Sequence, residues 1–146
     1  MTARGPILAL ALLATACGPG ADVTLRPAPE LREATVRAIA LWQPVLARCG
    51  REFTLTEDHP DATIEFGDTR GYYGLTTTPF DGTIRVRISP QSAETWPELL
   101  DHAVSHELGH VLGSPESDRI ADLMYPSPSG GTVPTPHDAE LVGCRP

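Results

Sequence analysis

Two histidines, one helical turn apart and followed three residues later by a glycine, leave few folds open to this chain. They lie in "HELGHVLGSPESDRIADLMYP", residues 106–126. His106 and His110 are spaced i, i+4, so a helix places both imidazoles on one face, as a tetrahedral metal requires of a single element. Thr95 and Glu98 have the spacing of a capping box, which predicts a helix from Thr95 to about Leu112. Gly113 is then a stop at which the backbone can turn left-handed and come back toward the histidines. The return delivers position 116, where Glu116 offers an oxygen donor. Two histidines and one carboxylate form a catalytic zinc set that leaves a fourth position for water. Glu107, beside the first histidine, stands where a general base for zinc-bound water is needed. A surface helix can carry such spacing by accident, but the glycine stop and the donor at 116 argue against one here.

"HELGHVLGSPE" followed by "LMYP" (residues 123–126) resembles the metzincin metalloproteases, whose extended pattern is HExxHxxGxx(H/D) and then a methionine turn. The matrixin branch ends that turn with M-Y-P, as Met124-Tyr125-Pro126 does here. The third donor position is similar to that of snapalysin-type metzincins, where an aspartate follows "GLP"; this chain has Glu116 after "GSP". Residues 36–68, "VRAIALWQPVLARCGREFTLTEDHPDATIEFGD", resemble the first helix and following strands of a matrixin catalytic domain, and "TPHDAELVG" (135–143) resembles its closing helix.

The resemblance implies a zinc endopeptidase acting on peptide or protein substrates, with Glu107 as general base and His106, His110 and Glu116 as ligands. Asp118 is the fallback third ligand, because glutamate is one methylene longer than the family's aspartate. Met124 would form a floor beneath the metal. An extended substrate would add to a strand beginning at residues 71–74. A specificity pocket would be bounded by residues 127–136, whose two glycines, three prolines and lack of charge suit a small or apolar side chain. Asp122 either orients a histidine from behind the site or is a solvated turn carboxylate. His102 reads as a partly buried histidine rather than a ligand, His59 and His137 as solvated loop or cap residues, and Tyr125 as a packing residue.

The remaining sequence frames this site. Alternation predicts strands over residues 22–27, 52–57, 62–66, 71–78 and 83–89, with a helix starting near Pro29 and ending at Gly50 and a short one over 136–143. This order implies an α+β domain: a mixed, twisted sheet of about five strands, two main helices and a short C-terminal helix, the metzincin-like (zincin) arrangement. The formal net charge is −8 and there is no lysine. With no basic stripe, nucleic acid is not an expected partner. Arg4, the apolar run over residues 6–16 and Ala14-Thr15-Ala16 read as a signal peptide over 1–16. "LATAC" resembles a bacterial lipobox, so Cys17 is expected to carry lipid, with residues 17–21 as a tether and 22–146 as the domain. The expected location is the bacterial cell envelope, lipid-anchored, with plain secretion as the alternative. Of three cysteines, Cys49 and Cys144 then remain as a candidate disulfide. "RCG" (48–50) is similar to the matrixin cysteine switch, but it follows the domain's own first helix. Four residues between Cys17 and the first strand suggest no inhibitory propeptide. The rival reading is an inactive, zinc-stabilised envelope protein that binds peptides; a pure binder has no need of Glu107.

Overall fold

The computed structural model describes residues 21–144. Residues 1–16, expected to be a signal peptide, and Cys17, expected to carry lipid, lie outside the described residues. Five strands form one sheet: β1 (Val23–Pro27), β2 (Phe53–Leu55), β3 (Ala62–Phe66), β4 (Gly74–Thr77) and β5 (Ile84–Ile88), in the order β2-β1-β3-β5-β4. The first four in that order are mutually parallel, and β4 runs antiparallel on the outer edge of β5. Four helices accompany them: α1 (Arg32–Ala47), α2 (Pro90–Thr95), α3 (Leu100–Val111) and α4 (Pro136–Leu141). The domain is α+β with a five-stranded mixed sheet. Among the described residues no helix is long and apolar enough to cross a membrane.

The strand alternation resolves as expected: Ile84, Val86 and Ile88 are buried while Arg85 and Arg87 face outward from β5. On α1 the buried stripe is Ala34, Thr35, Ala38, Trp42, Val45 and Leu46. The Trp42 indole donates to the carbonyl of Ser105 at 2.8 Å, which locks α1 to α3. Gly109 keeps this junction tight, because a Cβ there would collide with the Met124 sulfur and press on Trp42. Pro44 is accommodated within α1, where it is exposed.

Two sequence expectations are corrected. Thr95 does not start the metal-site helix. It ends α2, its hydroxyl donating back to Gln91, and the N-cap of that helix is Ser89, with Pro90 in the first turn. Trp96 precedes Pro97 and is therefore driven out of the helical region, to φ −135° and ψ 68°. The chain restarts as a 3-10 turn at Pro97–Leu99 before α3. Likewise β4 begins at Gly74, not at residue 71, because residues 70–73 form a turn.

Cys49 and Cys144 form a disulfide with Cα atoms 5.2 Å apart, spanning 95 positions of sequence. Beside it the Arg51 guanidinium donates to the carbonyls of Ala21 and Val142, fastening the C-terminal segment to the start of β1. A loop this long gives up much chain entropy on cross-linking. Replacing both cysteines by alanine is expected to destabilise the domain by about 2–5 kcal/mol. Urea unfolding under non-reducing conditions measures it, and an unchanged midpoint would show that the bridge is dispensable.

Candidate metal centre

The site is assembled by α3 and the chain that leaves it. α3 ends at Val111, and Gly113 at φ 93° reverses the backbone. Ser114 N–H then donates to the Gly109 carbonyl, and Ser117 N–H to the Met124 carbonyl, so the returning segment is pinned at both ends. Between those pins lies Glu116. Its Oε2 is 3.3 Å from His106 Nε2 and its Oε1 is 3.4 Å from His110 Nε2. Asp118 is exposed and outside this cluster; among the described residues the group of three able to hold a metal is His106, His110 and Glu116.

The far sides of both imidazoles are held by backbone. His106 Nδ1 lies 2.8 Å from the Leu123 carbonyl and His110 Nδ1 lies 2.9 Å from the Ser114 carbonyl. A carbonyl only accepts, so each Nδ1 carries a proton, which leaves Nε2 as the nitrogen of each ring that a metal can reach. Two ligands about 2.0–2.1 Å from a tetrahedral zinc stand roughly 3.3–3.4 Å apart. Each histidine stands at about that separation from one oxygen of Glu116, and one donor atom from each of the three residues lies within 4.8 Å of the others, so the residues present can hold a metal ion.

Behind the cluster, Met124 is fully buried under α3. The Asp138 carboxylate, also fully buried, accepts from the N–H groups of Leu123 and Met124 at 2.9 and 3.1 Å. Asp138 and Thr135 form the capping box that starts α4, so the turn at Leu123 and Met124 and the last helix are set together. Asp122 fits neither sequence expectation. It is buried, and accepts from Ser117 Oγ (2.5 Å), Thr135 Oγ1 (2.6 Å) and His137 (2.6 Å). Its histidine partner is thus His137, not His106 or His110, and His137 is half-buried rather than a solvated cap. His59 is an exposed loop residue at φ 47°. His102 is half-buried, and its Nδ1 has no hydrogen-bond partner among the described residues. Tyr125 is half-buried beside the turn.

Glu107 meets β4 at Thr76. It is buried, and Thr76 Oγ1 donates to its Oε2 at 2.5 Å. Burial pushes the Glu107 carboxyl above the usual range against the opposing pull of His110, His106 and Thr76. Thr76 carried no signal in the sequence, because this contact joins a strand to a helix 31 positions away.

The comparisons with known proteins bear on this arrangement. The chain is similar to a plant metalloendoproteinase. It is 31% identical over 119 residues to "Metalloendoproteinase 4-MMP" of Arabidopsis thaliana, covering 67% of this chain and 34% of that protein. The chain therefore spans about a third of the length of the curated relative it matches. No family model matches. A chain of the solved structure "GM1 bound form of the ECX AB5 holotoxin" is similar at a TM-score of 0.47 and 15% identity, over 65% of this chain and 51% of that one, a likeness too weak to carry an argument.

Glu116 is a counter-charge to His110. Burial opposes its charge, but the hydrogen bonds to His106 and His110 outweigh it and hold the carboxyl down at about 2, against a usual 4.5. Burial likewise opposes charge on His110, and Glu116 with Glu107 overcomes it, raising His110 from 6.5 to about 9. The Glu116 contribution to stability is present above pH 4.5 and lost as pH falls through 2. The His110 contribution is complete below pH 6.5 and lost as pH rises through 9. A metal must displace the His110 proton to reach Nε2, so zinc binding at pH 7 is expected to release about one proton per ion. Calorimetric titration in two buffers of different ionisation enthalpy measures this, and a buffer-independent heat would contradict it.

Proposed function

We propose that this chain is a zinc-dependent endopeptidase of the metzincin type, similar to the matrixins in its methionine turn. The reading rests chiefly on one observation: the Nε2 atoms of His106 and His110 converge on the Glu116 carboxylate while a buried Glu107 lies on the adjoining face of the same helix. The likeness to a metalloendoproteinase supports it. His106, His110 and Glu116 would hold zinc, which when bound polarises a peptide carbonyl and acidifies water.

The protein's own groups perform the rest. Glu107 accepts a proton from the attacking water and returns it to the departing amine. The substrate backbone lies along β4. Ser89 N–H donates to the Tyr73 carbonyl, which makes 73/89 a hydrogen-bonded pair. The β4–β5 register then makes Gly74 and Thr76 the non-bonded positions, with N–H and C=O groups directed to the free edge. An extended peptide can pair with those groups. Residues 127–136 bound the side-chain pocket. The N-terminal cysteine reading adds a lipid anchor at Cys17 in a bacterial envelope, for which the intact mass of the membrane-bound protein is the test; a soluble form with an unmodified Cys17 would rule it out.

The test of the activity is metal content measured together with cleavage of an unstructured protein. One zinc per chain, with hydrolysis abolished by chelation and restored by zinc, is expected. Stoichiometric zinc with no hydrolysis would instead favour the peptide-binding alternative.

A further inference from the structure

The base of the proposed reaction is held by the same strand that the substrate is proposed to line. Gly74 and Thr76 are two apart on β4, so their side-chain positions share a face. That face meets α3 at Glu107. Thr76 Oγ1 donates to Glu107 Oε2 at 2.5 Å and lies 3.4 Å from the Glu107 backbone carbonyl. Gly74 leaves the other side open: a Cβ there would come within 2.5 Å of both Cγ and Oε1 of Glu107. The carboxylate is thus held at one oxygen by a hydroxyl and fitted at the other against a residue that has no side chain.

We infer that Thr76 is a positioning residue for Glu107. Its hydroxyl fixes the carboxylate so that Oε2 is occupied and Oε1 is the oxygen left to receive a proton. A glutamate has three side-chain torsions, and the α3 backbone alone does not select among their rotamers. With one hydroxyl proton to give, Thr76 removes that freedom before substrate arrives, and pre-organisation of this kind raises turnover rather than substrate affinity. The main chain of Thr76 meanwhile faces the free edge. A peptide docked on β4 would therefore press on the residue that sets the base, which couples correct seating of the backbone to alignment of Glu107.

This inference rests on the endopeptidase reading for its kinetic consequence but not for its structural one, and the experiment separates the two. Thr76→Val keeps the shape of the side chain and deletes the donor; Thr76→Ser keeps the donor. In zinc-loaded protein with an unstructured protein as substrate, Thr76→Val is expected to lower kcat by roughly 10-fold or more. KM, zinc stoichiometry and thermal midpoint should stay near the wild-type values, and Thr76→Ser should recover most of kcat. In metal-free crystals, the Glu107 carboxylate should leave its wild-type position in Thr76→Val and hold it in Thr76→Ser. Wild-type kcat in Thr76→Val, a loss confined to KM, or an unmoved Glu107 carboxylate would each overturn the inference. If wild-type protein cleaves nothing, the endopeptidase reading fails, and the crystal comparison still decides whether Thr76 positions Glu107.

Discussion

Glu107→Gln is expected to bind zinc as the wild type does and to hydrolyse peptides about 10²–10⁴-fold more slowly. Glutamine has the same length and branching, and its amide oxygen can still accept from Thr76. The Trp42 bond to Ser105, which ties α1 to α3, does not involve Glu107. The substitution removes the carboxylate's charge and its ability to take a proton. The comparison is kcat/KM on an unstructured protein alongside zinc stoichiometry. Undiminished cleavage by the variant would remove Glu107 from the mechanism, and loss of zinc would mean that the substitution had damaged the site rather than the base.

Glu116→Ala should weaken zinc binding by at least about 100-fold, since even groups behind a ligand commonly cost 10–100-fold. The two histidines would keep their orientation, because Leu123 and Ser114 hold them through backbone carbonyls that the substitution leaves in place. They would lack the anion that lies within 3.4 Å of both. Glu116→His should retain zinc, as it restores three protein donors. Asp118→Ala should leave affinity unchanged, since Asp118 is exposed and outside the cluster. Affinities must be compared at one pH, because the same nitrogens bind protons. Loss of affinity in Asp118→Ala with none in Glu116→Ala would transfer the ligand role to Asp118.

Much of the candidate site's arrangement was legible because it is local. The i, i+4 histidines, the stop at Gly113 and the three-residue return depend on one short segment, and helix geometry converts their spacing into position. The strands were legible for the same reason: alternation in "TIRVRIS" reports two faces of one strand. The misplaced helix start was also readable. Ser89-Pro90 is a cap followed by proline, and Trp96 stands before Pro97, whereas Thr95 and Glu98 merely shared a spacing. What the sequence did not reveal lies in contacts between distant segments. Asp122 meets His137 only because Ser117 and Thr135 bring the two loops together. The carbonyls that orient the histidines belong to Leu123 and Ser114, and a backbone acceptor leaves no mark on residue identity.

The outer edge of β4 has a cost that the chain must bear. Strand edges in folded proteins are commonly guarded by charge, proline or a covering element, since unpaired N–H and C=O groups recruit any extended chain. Gly-Leu-Thr-Thr carries no charge, and guarding Gly74 and Thr76 would close the groups that the proposed substrate uses. The defence left is brevity: four residues, bounded by a turn before Gly74 and by Pro79 after. An edge open to peptides is open to a second copy of itself, so self-association through β4 and occupancy by peptide should exclude one another, and concentrated protein should be most soluble when a peptide ligand fills the cleft.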